Sequence, residues 1–511
     1  MSEIWTALEG LGDKLAAHVL LSAASLALGI IVALPLAIWA GRSQTVARAT
    51  LGFASLVQTI PALALLSLFF PILLGLRTVF GEGLPTLGFL PALLALALYA
   101  LLPILRNAVT AQANLDPGVI EAAHGVGMSN WQRLRLVEAP LSAPYVMAGI
   151  RTAAVWTIGA ATLATTIGQK SLGDPIFAGL QTQNWALVLA GCIASAGLAL
   201  VADALLGAME KGLRTRQRLL SLGGLAAVLI GVGAALAVQF GGSDERRIVI
   251  GAKGFSEQYI LARLIGQRLE AQGYAVDYRD GLGSAVAHKA VSTGAIDILV
   301  DYTGTIWTNM MERKDNPDRD TMLAEITAWE IRTSGTHVLG RLGFENAYGL
   351  AIPAERAKMS GIESIEDLAR VAPQLIVGGD PEFFERPEWR SVRDAYGLRF
   401  REQRNFSPTF MYNALLSGEA HVIGAYTSDG RIAADNLVIL DDPKRAFPNY
   451  DAIVLLAPQT GKDGAIVAAL RPLVDAIGVD AMREANYSVD REEGKATIDE
   501  AARQLAARAG L

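Results

Sequence analysis

Six long apolar runs before residue 241 constrain this chain more than any other feature of its sequence. Each run holds about the 20 residues that a helix needs to cross about 30 Å of hydrocarbon, the fourth being completed across Arg151. Buried core helices would need amphipathic partners to cover them, and none follow, so membrane spans are favoured. The runs cover residues 17–40, 50–75, 86–105, 152–168, 185–207 and 219–240.

The rest of the chain has a different character. Of the 511 residues, 52% are hydrophobic and 18% are charged, and the mean hydropathy of +0.34 is too high for an ordinary soluble enzyme. Charged residues concentrate in the last part of the chain, which reads as a normal soluble domain. We predict a membrane domain with five spans over 1–210, a sixth span and linker over 211–245, and a soluble domain over 246–511.

Lysine and arginine in the short loops indicate the orientation of the spans. Positive residues follow spans 1, 3 and 5, whereas the opposite loops offer chiefly Arg77 and Lys170. The positive-inside rule places residues 106–143 in the cytoplasm, and the N-terminus and everything after Gly241 outside. We expect an integral, lipid-embedded protein of the plasma (inner) membrane, and the acidic N-terminal segment argues against a cleavable signal peptide. The positive residues are Arg42, Arg48, Arg106, Arg133, Arg135, Lys211, Arg214, Arg216 and Arg218.

A polar segment between spans 3 and 4 carries signals for two short helices. Asp116 is a suitable N-cap before a proline, and the glycines of 125–127 can end the first helix. Ser129 and Gln132 have capping-box spacing and open a second helix, which we expect Pro140 to break. The two helices form a compact knob, which either docks into a groove of a partner protein or lies on the bilayer.

Resemblance to a known family decides between these two interpretations. The residues Glu121, Ala122 and Ala123, followed by Gly127 and Pro140, have the order and spacing of the EAA loop of ABC importer permeases. The resemblance implies that this loop contains the coupling helix, which sits in a separate ATP-binding subunit and transmits its closure to the spans.

The segments on either side extend the resemblance. QTIPALALL at 58–66 and APLSAPYVMAGIRTAAVWTIGAATLATTIG at 139–168 resemble the permeases of glycine betaine, choline and carnitine uptake systems. The similarity covers roughly residues 15–210 and implies an all-α polytopic membrane domain of the type I ABC importer class. Five spans are too few for the symmetric pathway of this class, so we expect a homodimer of the chain.

The sequence has no phosphate loop of its own. The pattern GxxxxGK[ST] is absent, so no segment is expected to cradle nucleotide phosphates in the usual way. We therefore expect the ATPase to be a separate chain that uses ATP and Mg²⁺, and no cofactor on this one.

The soluble domain begins with a βα unit. Residues 247–251 form a β-rich run that ends in glycine, and an amphipathic helix follows. Further strand-like runs alternate with helical stretches, which predicts an α/β domain of two lobes, like the periplasmic binding proteins, with its ligand beyond the strand ends. These runs are 296–302, 374–380, 421–426, 436–442 and 452–458.

Aromatic residues and one arginine stand at the predicted strand ends. Tyrosine faces suit a quaternary ammonium group, which has no N–H to donate, and each contributes about 0.5–2 kcal/mol. The planar fork of Arg386 suits a carboxylate tail. The alternative is that these tyrosines are core residues with one wet edge. The aromatic residues are Tyr302, Tyr348, Tyr426 and Tyr450.

The motifs GAKGFSEQY, DYTGT, AYTSDGRI and FPNYDA resemble the soluble receptors of the same betaine and choline importers, over nearly all of 246–511. The resemblance implies that the four tyrosines form the cage, and that Lys253, Thr305 and Arg386 bind the carboxylate. Asn346 stands where an acidic residue is expected. A larger trimethylammonium compound, such as carnitine or ergothioneine, therefore stays an alternative to glycine betaine.

Three function classes are compatible with a membrane domain joined to a two-lobed soluble domain: a transporter subunit, a membrane-tethered sensor and an enzyme on the two-lobed fold. A sensor needs a cytoplasmic output domain, and an enzyme needs a nucleophile and base or a metal site; neither is visible. The scattered histidines predict no metal site, and the lack of a basic stripe predicts no nucleic-acid partner. We predict a non-catalytic subunit of an ATP-driven importer of quaternary ammonium compounds, in which permease and receptor are fused.

Overall fold

The computed structural model of the chain describes residues 2–81, 84–182, 184–240, 247–491 and 493–511. Residues 241–246, which cover the end of the predicted linker and the first residue of the predicted soluble domain, lie outside this set. The chain forms two compact units, one helical and one of mixed α/β structure. The predicted fold class, a helical membrane domain fused to an α/β domain, is confirmed.

Among the described residues, six helices are long and apolar enough to cross a membrane, as predicted. They are Gly12–Ala40, Ala62–Phe80, Phe89–Ala113, Asn130–Ile167, Trp185–Thr215 and Arg218–Gln239. Four other helices of the first 240 residues are Ser2–Glu9, Gln44–Thr59, Pro117–Gly125 and Gly173–Gln181.

The predicted boundaries of span 2 are wrong. The run 50–75 crosses a break, because the helix Gln44–Thr59 ends before Ile60, whose backbone is extended (φ −74°, ψ 126°). A residue before proline is forced toward this conformation, and Pro61 follows. The second span is therefore Ala62–Phe80, shifted toward the C-terminus.

Small residues let the membrane helices approach closely. A Cβ added to Gly29 of span 1 would lie 2.9 Å from the Cβ of Ala100 in span 3, and one on Gly149 would lie 2.8 Å from the Cβ of Asn107. Such contacts are the usual means of packing helices in lipid. Moving an apolar side chain from lipid into a helix interface gains little free energy, so close van der Waals packing between small residues stabilises the helix pair instead.

The segment between spans 3 and 4 has the predicted caps. The Asp116 carboxylate accepts from the amide of Gly118 at 2.8 Å, Gly127 has φ +77°, and Ser129 and Gln132 form a complete capping box. The predicted break at Pro140, however, is wrong.

The second helix runs through Pro140 into span 4. Leu134–Glu138 forms one wide π turn, and the α-helix Ala139–Ala161 follows with Pro140 in its first turn. The wider turn shifts the hydrogen-bond register next to a residue that has no N–H, so the helix continues. Thr162–Ile167 closes the span as a 3₁₀ helix.

The α/β unit contains two five-stranded mixed sheets. The first has the order β2-β1-β3-β10-β4 and the second β7-β6-β8-β5-β9. In each sheet three neighbouring strands are parallel, and two further strands extend the sheet in antiparallel pairing. The strands are β1 Arg247–Lys253, β2 Ala275–Leu282, β3 Ile298–Tyr302, β4 His337–Glu345, β5 Tyr348–Pro353, β6 Ile376–Gly379, β7 Glu402–Asn405, β8 Val422–Tyr426, β9 Leu437–Ile439 and β10 Asp451–Leu456.

The chain passes between the two sheets twice, once between β4 and β5 and once between β9 and β10. The two connections are hydrogen-bonded to each other, because the backbone N–H of Asn346 donates to the backbone carbonyl of Tyr450 at 2.9 Å. The longer helices of this unit are Ser256–Glu270, Ser284–Ser292, Arg319–Thr333, Ala354–Ser360, Ile365–Val371, Pro381–Glu385, Pro387–Tyr396, Pro408–Ser417, Gly464–Leu470, Val479–Asp490 and Ile498–Ala509.

Candidate functional site

One cavity of about 240 Å³ in the α/β unit is lined by all eight residues that the sequence predicted for ligand binding. These residues are spread over 198 positions of the chain, from Lys253 to Tyr450, and come from both sheets. The eight are Lys253, Tyr302, Thr305, Asn346, Tyr348, Arg386, Tyr426 and Tyr450.

Strand ends position the four tyrosines. β3 ends at Tyr302, β5 begins at Tyr348, β8 ends at Tyr426, and Tyr450 directly precedes β10. Tyr348 and Tyr426 are register partners in antiparallel strands. Gly304 of the DYTGT motif leaves room for the Tyr450 ring, since a Cβ there would lie 2.7 Å from its carbons.

The rings form a continuous aromatic cluster. Tyr348 lies 4.9 Å from Tyr426 and 5.6 Å from Tyr450 between ring centroids, the second contact being edge-on. Phe255 adds a fifth ring, 6.1 Å from Tyr426 and 6.3 Å from Tyr302, and close to parallel with the Tyr426 ring. Burial raises the pKa of all four tyrosines. The phenols therefore stay neutral and offer electron-rich faces to a cation.

Lys253 is held at the cavity wall by an ion pair. Its Nζ donates to the Asp301 carboxylate at 2.5 Å, and both side chains are buried. The same Nζ lies 5.2 Å from the centroid of the Tyr302 ring. Thr305, which is also buried, lines the same cavity from the turn after β3. The charge of Lys253 is therefore shared with a protein carboxylate.

Arg386 is the second buried cation of the cavity. Its guanidinium pairs with Glu382 and, at 3.5 Å, with Glu388, and it lies 5.2 Å from the centroid of the Tyr348 ring. The Tyr450 hydroxyl also donates to Glu388. The Arg386 Nε is buried and has no hydrogen-bond partner among the described residues. A donor is thus available to an anionic ligand group.

A buried carboxylate stands behind this wall. Glu257 accepts hydrogen bonds from the hydroxyl of Tyr302 at 2.6 Å, from Asn346 Nδ2 at 3.0 Å and from Asn486 Nδ2 at 3.1 Å. Burial raises the pKa of Glu257, while these donors oppose that rise. Asn346, which replaces the expected acid, therefore contacts an acid from another part of the chain.

Three residues that shape the site were not predicted from the sequence: Phe255, Glu257 and Glu388. Phe255 and Glu257 lie within the motif GAKGFSEQY, so the motif itself was the only signal for them. Glu388 follows Arg386 by two positions in ERPEW, where an acid in the first turn of a helix looks like an ordinary capping charge.

The EAA segment forms the second candidate site. Glu121, Ala122 and Gly127 are exposed, whereas Ala123 is buried. The segment is braced internally, because Arg133 pairs with Glu138 at 2.5 Å and its guanidinium contacts His124. The helix Pro117–Gly125 thus presents most of the motif on its surface.

Both units match family models. Residues 26–215 match the inner membrane component of binding-protein-dependent transport systems. Residues 246–508 match the substrate-binding domain of the ABC-type glycine betaine transport system. The chain belongs to this family: it is a permease fused to the substrate-binding domain of an ABC importer of the glycine betaine, choline and carnitine type. Membership implies a small-molecule ligand and a separate ATP-binding subunit.

Named relatives match either most of the chain or one unit of it. The ergothioneine transport permease/ergothioneine binding protein of Helicobacter pylori is 30% identical over 85% of this chain and 79% of its own length. The permease of a glycine betaine/carnitine/choline transport system of Bacillus subtilis is 38% identical over 41% of this chain and 94% of its own. A glycine-betaine-binding protein of Pseudomonas aeruginosa is 31% identical over 48% and 82%.

Proposed function

We propose that the α/β domain captures a trimethylammonium compound outside the cell and that two copies of the membrane domain form its pathway inward. The observation that carries the proposal is the single cavity lined by all eight predicted residues. Neutral aromatic faces favour a cation that cannot donate hydrogen bonds, and the buried cations beside them favour a carboxylate.

The ligand is held from two directions in this proposal. The tyrosines with Phe255 surround the cationic head, while Arg386 and Lys253 face the carboxylate. Both cations already have protein carboxylates as partners, so a ligand carboxylate competes with these for hydrogen bonds. We expect Arg386 to bind the ligand carboxylate more strongly than Lys253 does, because the Arg386 Nε is buried without a partner among the described residues. A buried donor left unpaired costs about 1–3 kcal/mol.

The EAA segment is proposed to couple transport to ATP hydrolysis. Its exposed helix Pro117–Gly125 is short and capped at both ends, so it can act as a rigid body in a groove of the ATP-binding subunit. The ATPase chain binds ATP and Mg²⁺, and this chain contributes no catalytic residue.

Ergothioneine is the second candidate ligand. The Helicobacter pylori relative, whose printed name includes it, matches both the permease and the receptor part of this chain. Ergothioneine carries a trimethylammonium group and a carboxylate, as glycine betaine does, and adds a heterocycle. Asn346, in place of an acid, is the feature of the site that favours a ligand other than glycine betaine.

Calorimetry tests the ligand. The full chain in lipid nanodiscs is titrated with glycine betaine, choline, carnitine and ergothioneine. We expect saturable one-site binding of at least one of these, and no binding of neutral amino acids such as leucine. If leucine bound and none of the four trimethylammonium compounds did, the proposed function would be rejected.

Two further measurements test assembly and orientation. The complex purified with its ATP-binding subunit should contain two copies of each chain, and a transport-active one-to-one complex would contradict the dimeric pathway. Alkaline phosphatase fused after Leu511 should be active in intact cells, because that enzyme works outside the cytoplasm. An inactive but intact fusion would reverse the orientation.

A further inference from the structure

Glu257 is a buried carboxylate that has only neutral donors around it. Its side chain belongs to the first turn of the helix Ser256–Glu270, and the residue is 2% exposed. Its hydrogen bonds come from a phenol and two amides, those of Tyr302, Asn346 and Asn486. In the described part of the chain no lysine, arginine or histidine forms an ion pair with it.

Several other buried acids of the α/β unit have a cationic partner. Asp301 pairs with Lys253, Glu388 with Arg386, and Glu330 with His288. Asp429 pairs with Arg431, and Asp451 with Arg319. An unpaired buried charge is costly, so buried carboxylates normally have a cationic partner. Glu257 departs from this pattern at the edge of the ligand cavity, where the buried Asp380 and Asp490 likewise accept hydrogen bonds from neutral donors, the Phe383 N–H and the Ser256 hydroxyl.

Two residues that line the ligand cavity also contact Glu257. Tyr302 and Asn346 line the cavity of about 240 Å³ and both donate to Glu257. Glu257 itself lines an adjoining cavity of about 40 Å³, which shares Phe255, Asn346 and Tyr426 with the larger one. The carboxylate is therefore one side chain away from the space that the cationic head would fill.

Asn346 fixes the orientation of the local dipoles. An ionised carboxylate only accepts hydrogen bonds, so the amide nitrogen of Asn346 must face Glu257. Its Oδ1 is then turned away from the acid, and it is buried and has no partner among the described residues. This orientation of the Asn346 side-chain amide leaves its partly negative Oδ1 without a hydrogen-bond donor among the described residues.

We propose that Glu257 is the counter-charge for the cationic head of the ligand, and that it makes this receptor select a positive charge rather than only the shape of a trimethyl group. The inference rests on the proposed function. The acid expected at position 346 is thus supplied from position 257, with Asn346 and Tyr302 as the connecting groups. A purely structural Glu257, which only stabilises the start of its helix, would leave charge selectivity unchanged.

Charge-deleted ligands separate these roles. Choline is compared with 3,3-dimethylbutan-1-ol, and glycine betaine with 3,3-dimethylbutanoate, each second compound having carbon in place of the quaternary nitrogen. Both pairs are titrated into the full chain in nanodiscs, as the parent and as Glu257→Gln. We expect Glu257→Gln to weaken the trimethylammonium member of the pair that binds by about 10- to 100-fold. The carbon analogue, 3,3-dimethylbutan-1-ol or 3,3-dimethylbutanoate, should change by less than threefold.

Three further variants serve as controls. Glu257→Asp keeps the charge and should keep most of the preference for the cation. Glu257→Gln combined with Asn346→Asp should restore it, because the second change returns an acid to the same wall. Glu330→Gln makes the same chemical change at a buried acid that pairs with His288, and should leave the preference intact. Thermal unfolding of each variant shows whether the chain is folded.

The outcomes are distinct. A parent chain that binds neither charged compound rejects the proposed function for these ligands. A parent that prefers the cation, together with a folded Glu257→Gln variant that keeps the same preference, overturns this inference alone. Equal losses for a trimethylammonium compound and its carbon analogue would also overturn it, because they would show a general disturbance of the cavity.

Discussion

Replacement of Arg386 by alanine should separate ligands by their tails. The guanidinium is 7% exposed and is built into the wall by Glu382, Glu388 and the Tyr348 ring. Removing it deletes the buried donors available to a ligand carboxylate. A ligand with a neutral hydroxyl tail loses no ion pair.

The magnitude follows from the kind of bond that is lost. Hydrogen bonds to charged groups contribute about 1.5–3 kcal/mol, and each 1.4 kcal/mol corresponds to a factor of ten. Arg386→Ala should therefore weaken glycine betaine or carnitine by about 10- to 150-fold. Choline should change by less than about threefold, because losing a nearby positive charge does not disfavour a cationic ligand.

The variant also has a stability cost that must be controlled. Glu388, whose side chain is fully buried, would keep its charge without its partner, which typically costs about 3–5 kcal/mol. The double variant Arg386→Ala with Glu388→Gln removes both charges and should recover much of the lost stability. Calorimetry with both ligand types, on parent and variants, is the assay. Equal weakening of choline and glycine betaine in a folded variant would refute the assignment of Arg386 to the tail.

Other variants probe the cage, the coupling segment and a buried acid. Tyr302→Ala should weaken ligand binding by about 1–2 kcal/mol, or about 5- to 30-fold, and a calorimetric affinity equal to the parent's would exclude the ring from the cage. Tyr302→Phe should keep most of the affinity but lower stability in urea unfolding, because it leaves Glu257 and Gln258 without the hydroxyl they contact. Gly127→Asp should abolish ATP-driven uptake in proteoliposomes and leave ligand binding unchanged, since position 127 is exposed and has open space around it. Normal uptake by this variant would contradict the coupling role. Burial raises the pKa of the Asp490 carboxyl from 3.8 to about 6. The folded state therefore binds the proton of this carboxyl more tightly than the unfolded state does. The free energy of unfolding that this proton contributes is lost as the pH rises from 4 through 6. Asp490→Asn should accordingly raise the unfolding free energy at pH 8 by about 2–3 kcal/mol and change little at pH 4, and equal urea midpoints at pH 8 would argue against it.

The tyrosine positions were predictable because they depend on local patterns. A strand end can be read from the hydrophobic run before it, and ligands in this kind of fold lie beyond the strand ends of both sheets. That is why Tyr302 and Tyr426, which stand 124 positions apart in the sequence, both line the cavity. The membrane spans were predictable for a similar reason, since each depends on its own run of apolar residues.

The partners of the charged groups were not predictable. Lys253 was assigned only to the ligand, yet it pairs with Asp301, 48 positions away, and Glu257 meets Asn486 at a separation of 229. Such pairs depend on how helices and strands pack, which no local pattern specifies. The helix through Pro140 belongs to the same class, because a π turn before the proline is a property of the whole span.

The two connections between the sheets contain residues of the ligand site. Asn346 and Tyr450 stand on the two connections and are hydrogen-bonded to each other through their backbones, so a ligand that contacts them also acts on the angle between the lobes. The observed affinity of such a receptor is its intrinsic affinity multiplied by the fraction of molecules that are already in the binding-competent conformation. Substitutions in residues 440–449, away from the ligand, would shift that fraction and so change the working concentration range of the importer without any change in which compounds it accepts.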